Sequence, residues 1–405
     1  MHVFVVPSNY PSSISPVSGV FFKEQALALA ELRPSWNVSI SLWNQGETTF
    51  LIKQPSNWLK ILRTTLSNEK KSKNKLSDNI VEYVYPALTW SRRFLQGNVR
   101  QMLHASRINL QNAIMQSGKI NIIHAHISFP AGWVAMKLSE EFNIPFVITE
   151  HMSPFPFPSY LTRDGTLNNS VRKPLQKANR VIAVSPALVQ QIRRYEVSDP
   201  VYIPNLVDED FFEPVLMEKK KKFTFFTLGN MMPQKGIPTL LHAIKMFLIN
   251  LSDEDKRNVE FLIGGDGKYF SEYKILANTL GLSEFVRWMG LINREEVKGE
   301  FQNCDCFVLT SKHESFGVVY AEAIACGKPI IATKCGGPEV IVTPQNGLLT
   351  EIDDVKGISE ALNHMFLNFN QYSSPIIRNQ FMSKFSKRAV IDQLDELYKQ
   401  VIGEL

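Results

Sequence analysis

Short apolar, β-branched runs alternate with helical stretches along almost the whole chain, and the alternation occurs twice. In the first half the runs are Val3–Val6, Val38–Leu42, Ile122–Ala125, Phe146–Thr149, Val181–Val184 and Val201–Ile203. Helical patterns such as Phe21–Leu32 and Pro186–Arg194 follow several of them. In the second half strands are expected at Phe223–Leu228, Val259–Ile263, Val286–Met289, Cys306–Leu309 and Pro329–Thr333. Helices are expected there at Ile237–Ile249, Lys268–Leu280, Arg294–Phe301, Phe316–Ala325 and Val355–Leu367. Strands that are apolar throughout and separated by helices form parallel sheets covered on both faces. The expected fold class is therefore α/β, with two doubly wound layers in one chain.

A length of 405 residues suits two such domains. The junction is expected between Pro204 and Lys222, where two prolines and a lysine run interrupt the rhythm. This gives a first domain over 1–205, a second over 206–385 and a last helix near Arg388–Ile402, within 386–405, that can pack back on the first. The segment 50–110 fits the alternation poorly and reads as a basic insertion. Residues 51–107 hold eleven Lys or Arg against three acidic residues, although the whole chain carries only +5. With Trp58, Tyr83, Tyr85, Trp90 and Phe94 in the same stretch, a peripheral contact with an anionic membrane is one expectation and a solvated insertion the other.

The four cysteines are too few for a disulfide framework, which suits a reducing cytoplasm. No apolar run reaches the roughly 18 residues of a membrane span. The N-terminal Met1-His2-Val3-Phe4-Val5-Val6 reads as a first buried strand rather than a signal peptide. A cytoplasmic protein, at most peripheral at the inner face of the membrane, is expected.

Glu314 and Glu322 carry the strongest chemical signal. The first follows an apolar strand and the second lies inside the next helix, so a helix N-terminus falls between two carboxylates. Unpaired N–H groups and the helix dipole favour a phosphate there, and carboxylates accept hydrogen bonds from sugar or ribose hydroxyls. Gly229-Asn230 and Lys235-Gly236 follow the first strand of the second half, where the Lys235 ammonium can meet a diphosphate. Gly264-Gly265-Asp266-Gly267 ends the next strand and lets backbone approach a base or ribose, although a plain turn explains it equally well.

In the first half, Gly19 opens a helix where a loop can approach a phosphate or an acceptor, or simply start the helix. His124 and His126 end one strand, and Glu150 and His151 end the next. His126 is expected to reach the ligand site and His124 to pack, with the two rings on opposite faces and no metal between them. Cys304-Asp305-Cys306 has no second pair at zinc spacing and is not read as a metal site. No Asp-x-Asp divalent-metal motif is read either, and Asp353-Asp354 is taken as a helix cap.

In order and spacing these motifs resemble the retaining glycosyltransferases of family 4, most strongly from Phe223 to Leu349. The resembling residues include Gly229, Lys235-Gly236, Gly265-Asp266, Glu314-Ser315-Phe316-Gly317, Glu322-Ala323, Gly327-Lys328-Pro329 and Asn346-Gly347. The resemblance implies the GT-B architecture, two Rossmann-like domains facing across a cleft. It implies transfer of a sugar from a nucleotide-sugar donor, a UDP-sugar by family habit, to a glycan or lipid-linked acceptor in polysaccharide or cell-surface glycan synthesis. It gives catalytic roles to His126, Glu314 and Lys235. It also implies substrate contacts at Gly19, Gly229, Asn230, Gly265, Asp266, Ser315, Phe316, Gly317, Val318 and Glu322; Glu150 and His151 are expected as substrate contacts from their place at neighbouring strand ends. Partners would be the donor, the acceptor and an anionic membrane surface; no metal, cofactor or nucleic acid is expected. The family usually has Arg where this chain has Asn230, which removes a charge from the phosphate site. A sugar-nucleotide epimerase or hydrolase on the same fold, or a non-catalytic GT-B partner protein, are the competing expectations.

Overall fold

The computed structural model describes residues 1–12, 15–45, 49–50, 61, 72–90, 97–195, 197, 199–215 and 222–404. The chain divides into two compact units. The first comprises 1–184, 188–206 and 387–405, and the second 185–187 and 207–386.

The first unit is built on one sheet with strands β1 (His2–Pro7), β2 (Asn37–Leu42), β3 (Ser72–Ser77), β4 (Ile80–Val84), β5 (Ile122–His126), β6 (Phe146–Glu150), β7 (Arg180–Ala183) and β8 (Val201–Tyr202). Their order is β8-β7-β6-β5-β1-β2-β4-β3. All neighbours are parallel except β3 and β4, which form a hairpin. Thr49–Phe50 and Thr89–Trp90 add a short separate parallel ladder. The order turns back between β1 and β5, and ligands bind at such reversals beyond the carboxyl ends of the strands. Those ends carry Ser8 and His126.

Part of the supposed insertion thus belongs to this sheet. Strand β4 pairs with β2 in register from Val38↔Ile80 to Leu42↔Val84. A charged residue in its middle masked the signal. Glu82 is buried because Tyr10 donates to it at 2.6 Å and Lys23 lies 3.5 Å away. The helix Val99–Ser117 was also hidden, being rich in Gln and Asn on its outer face. Trp58, Phe94 and Lys219 to Lys221 lie outside the described residues.

The last helix, Lys387–Ile402, packs Val390, Ile391, Leu394, Leu397 and Tyr398 into the core of the first unit, against β1, β2 and the helix Val20–Leu32. Arg33 ties the helix down by pairing with the exposed Asp392 and the buried Asp395 at 2.7 and 2.5 Å.

The second unit has strands β9 (Phe223–Leu228), β10 (Val259–Gly264), β11 (Val286–Gly290), β12 (Cys306–Leu309), β13 (Ile330–Thr333) and β14 (Gly347–Thr350) in the order β11-β10-β9-β12-β13-β14. All are parallel. Helices cover the sheet, so its strands bury Phe225, Phe226, Phe261 and Phe307 completely, as Phe247 and Phe301 are buried from the helices. Each such side chain contributes roughly 1.5–3 kcal/mol of burial free energy. The turn-back falls between β9 and β12, whose carboxyl ends carry Gly229 and Thr310.

Candidate active site

In the second unit the loops after β9 and β12 are tied together. Thr310 Oγ1 donates to Gly236 O at 2.9 Å, and Lys312 N donates to Gln234 O at 2.7 Å. This brings Lys235, on the turn Pro233–Lys235, to Glu314, 79 residues later: Nζ and Oε1 are 2.6 Å apart. Ser311 Oγ donates to the same oxygen at 2.7 Å.

Gly317 then opens the helix Val318–Ala325 with φ of +87°. A Cβ there would fall 2.5 Å from the Tyr320 ring, so only glycine lets the chain turn this tightly. The same point lies 3.8 Å from Glu314 Cγ, which puts the Glu314 side chain beside the helix start. The first N–H groups of any helix lack intrahelical partners, and this helix starts beside the Glu314 side chain. Phe316 anchors the turn by packing on Phe385 at 5.6 Å. Glu322 lies in the middle of that helix, largely buried, with Arg294 Nη1 at 3.8 Å. Arg294 in turn lies over the rings of Phe211 and Phe212, at 4.9 and 5.1 Å.

The loops after β9 and β10 also touch. Met231 N donates to Asp266 O at 3.0 Å, and Gly265 lies so close to Gly229 O that a Cβ would clash. Gly229, Asn230, Gly265 and Asp266 are thereby gathered, with Asn230 and Asp266 exposed. Lys312 and Lys334, candidates to replace the missing arginine charge, are already paired with Asp353 and Glu351.

In the first unit the imidazoles of His124 and His126 lie on the same face, with ring centroids 4.4 Å apart. Residues two apart on a strand share a face, which corrects the expectation of opposite faces. His124 Nε2 bonds Thr149 Oγ1 at 2.7 Å and its Nδ1 bonds Tyr398 OH at 2.6 Å. His126 Nδ1 and His151 Nε2 are 3.2 Å apart, so one of the two rings carries the shared proton. Phe22 stacks on His126 at 4.5 Å and meets His151 at 4.8 Å. Burial lowers all three imidazoles, to about 3 for His124 and His151, and well below the ordinary value for His126, so the cluster is neutral. Gly19 caps the helix that presents Phe22. Its φ is +69°, and a Cβ would fall 2.6 Å from Asn9 O. Glu150 is fully buried and accepts three backbone N–H bonds.

Asp-x-Asp spacing does occur, at Asp208-Glu209-Asp210 and Asp253-Glu254-Asp255. Asp208 caps a turn, accepting from Asp210 N and Phe211 N, and Asp253 opens a five-residue helix. Among the described residues no group of three or more His, Cys, Asp and Glu is placed to hold a metal ion, and no helix is long and apolar enough to cross a membrane. Sequence reading missed Phe22, Arg294 and Tyr398. Phe22 had a signal in its place just after Gly19, whereas the other two had none.

Two Rossmann-like units of this topology define a GT-B protein. The model for "Glycosyl transferases group 1" matches residues 208–380 and that for "Glycosyltransferase Family 4" matches 67–211. The chain belongs to this family and is a glycosyltransferase. It is 27% identical over 297 residues to an uncharacterized glycosyltransferase of Methanocaldococcus jannaschii, covering 71% of this chain and 78% of that one. It is 24% identical over 307 residues to N-acetyl-alpha-D-glucosaminyl L-malate synthase of Bacillus anthracis, covering 72% and 77%. Among solved structures, Anabaena HepE in complex with UDP matches with a TM-score of 0.70 at 19% identity, over 99% of this chain and 100% of that one.

Proposed function

We propose that this glycosyltransferase moves a sugar, with retention of its anomeric configuration, from a UDP-sugar to a glycan or lipid-linked acceptor in cell-surface glycan synthesis. The meeting of Lys235 and Glu314 beside the start of the helix that carries Glu322 carries this reading. As the bond between the anomeric carbon and the diphosphate breaks, negative charge builds on the leaving oxygen. Lys235 and the N–H groups at the helix start stabilise it. Glu314 accepts from hydroxyls of the donor sugar and Glu322 from those of the ribose. The loops at Gly229-Asn230 and Gly265-Asp266 frame the nucleotide. In the first unit His126 is the catalytic group, with Gly19 and His151 among the substrate contacts.

The donor class is supported by HepE, which binds UDP and shares the fold. The exposed Lys73 and Lys75 on the edge strand β3 support an acceptor held at a membrane, reached from the cytoplasmic face in this reading. Flotation with anionic and with neutral liposomes tests that part; no binding to either removes it.

The central test is a calorimetric titration with UDP, GDP, ADP and CMP, without and with magnesium. Selective binding of UDP supports the reading, and binding of another nucleotide redirects the donor. Transfer from UDP-glucose, UDP-galactose and UDP-N-acetylglucosamine, followed by anomeric analysis of the product, then tests retention.

A further inference from the structure

The carboxylate of Glu150 is closed inside the first unit and committed to three backbone donors. Its Oε1 accepts His151 N at 2.8 Å and Met152 N at 3.0 Å, and its Oε2 accepts Ser128 N at 3.0 Å. The donors come from two loops, one leaving β5 and one leaving β6. Among the described residues no cation lies within ion-pair distance; burial pushes the Glu150 pKa up, and the Ser128 side chain and hydrogen bonds from the three backbone N–H groups oppose that push.

What the three bonds hold is an unusual turn. Ile127, between His126 and Ser128, has φ of +75° and ψ of +133°. A β-branched residue adopts positive φ only where its surroundings impose it. Those surroundings are Ile127 N donating to Thr149 O at 2.8 Å, Gly132 N donating to Ile127 O at 3.0 Å, and Ser128 N held by Glu150. The turn fixes where β5 stops and hence where the His126 ring is presented. The other end of the same carboxylate fixes the backbone of His151, whose Nε2 lies 3.2 Å from His126 Nδ1.

We propose that Glu150 is a positioning residue, one that sets the His126–His151 pair through the two loops and makes no contact with substrate. This rests on the reading of His126 as the catalytic group of the first unit. Removing a carboxylate oxygen releases the Ile127 turn and lets both rings reorient.

The experiment compares the full-length protein with Glu150→Gln and Glu150→Asp. Gln keeps the volume and one acceptor oxygen, but it turns an NH2 group towards one of the three donors. The readouts are release of UDP from UDP-glucose, UDP-galactose or UDP-N-acetylglucosamine, UDP affinity by calorimetry, and the ring signals of His126 and His151 in isotope-labelled protein. Expected is a fall in kcat of about tenfold or more, with UDP affinity within about twofold and displaced ring signals for both histidines. Unchanged kcat in a folded variant overturns the proposal, and so does lost kcat with unmoved ring signals. A variant that weakens UDP binding as much as it slows turnover overturns it too, because the damage is then general. If neither variant folds, amide exchange in the wild-type protein decides: protection at Ser128 and Met152 is expected, and a freely exchanging Ser128 amide overturns the proposal. Should the wild-type protein bind no UDP and turn over none of the three donors, the proposed function fails by itself, while the ring signals and amide exchange still judge Glu150.

Discussion

Lys235 Nζ lies 2.6 Å from Glu314 Oε1, and Ser311 Oγ donates to the same oxygen at 2.7 Å. Both side chains of the ion pair are mostly shielded, 20% and 10% exposed, so the attraction is less screened than at a surface. In the proposed function, the cation for the diphosphate thus rests on the carboxylate for the sugar. Lys235→Ala is expected to lower kcat by about 100-fold, the scale of losing one charge-stabilising donor. Because the two groups act as a unit, Lys235→Ala combined with Glu314→Ala is expected to cost clearly less than the sum of the single losses. Steady-state kinetics on the four proteins check this; additive losses would mean the pair is incidental.

Glu322 lies in the body of its helix, whereas Glu314 sits before it, and the proposed function gives the two different roles. Glu322→Ala is expected to weaken UDP binding by about 1–3 kcal/mol, the cost of losing hydrogen bonds to a charged acceptor. Glu314→Ala is expected to change UDP affinity less and turnover more. Arg294→Ala, which frees Glu322 from the guanidinium held over Phe211 and Phe212, is expected to weaken UDP binding in the same direction as Glu322→Ala. Calorimetry with UDP on the three variants checks the order; equal affinities for the two glutamate variants contradict the assignment.

The histidine cluster makes the first unit sensitive to acid. His124 and His151 are held at about 3 by burial, below their ordinary value of 6.5, and His126 is lowered as well. Below the ordinary value the unfolded chain binds protons that the folded chain refuses. The cluster's contribution is therefore complete above about pH 6.5 and is lost progressively as pH falls towards about 3. Urea unfolding is expected to show a lower midpoint at about pH 5 than at about pH 7.5. Equal midpoints would show that the rings are not buried neutral.

Tyr398 joins the last helix to that cluster, through its hydroxyl to His124 and its ring near Trp36 at 6.4 Å. It is fully buried. Tyr398→Ala is expected to cost about 3–5 kcal/mol from the cavity and the lost packing. Tyr398→Phe leaves His124 Nδ1 without its partner and costs about 1–3 kcal/mol. Chemical unfolding distinguishes the two; a neutral Phe variant would mean the hydroxyl bond contributes nothing.

The second unit was legible in the sequence almost strand by strand, because its central strands are buried and read as mostly apolar runs. Cys306–Leu309 and Ile330–Thr333 are buried along their whole length. Reading failed where a strand buries a charge. Glu82 breaks the pattern of β4, yet Tyr10, Lys23 and Asn74 satisfy it from residues far away in sequence. The helix Ser374–Phe385 escaped notice because its apolar residues keep no clear face. At the site, motifs marked Lys235, Glu314 and Glu322, since local spacing carries the helix start. The shared face of His124 and His126 follows from their spacing; the sequence could not show that Lys235 and Glu314 pair, that Arg294 reaches Glu322, or that Phe22 meets His126 and Tyr398 meets His124. Those are long-range relations with no local pattern.

Asn230 stands where the family usually has arginine, so the loop after β9 has one positive charge fewer and keeps Lys235. It is exposed, its carbonyl accepts from Met232 N at 2.7 Å, and its side-chain oxygen lies over Gly267. The side chain therefore points across the Gly265–Gly267 loop towards solvent, and a longer group can extend outward without displacing core. Lys312 and Lys334 are paired with Asp353 and Glu351, so neither stands in without giving up a partner. Asn230→Arg restores a charge-assisted contact to a diphosphate and is expected to tighten UDP binding by about 1–3 kcal/mol. The gain must shrink for uridine, which has no phosphate, and with added salt, which screens the new charge. Calorimetry with UDP and with uridine on both proteins checks this. Equal gains for the two ligands would show that Arg acts on the nucleoside, and no gain for either would show that the diphosphate does not pass this loop.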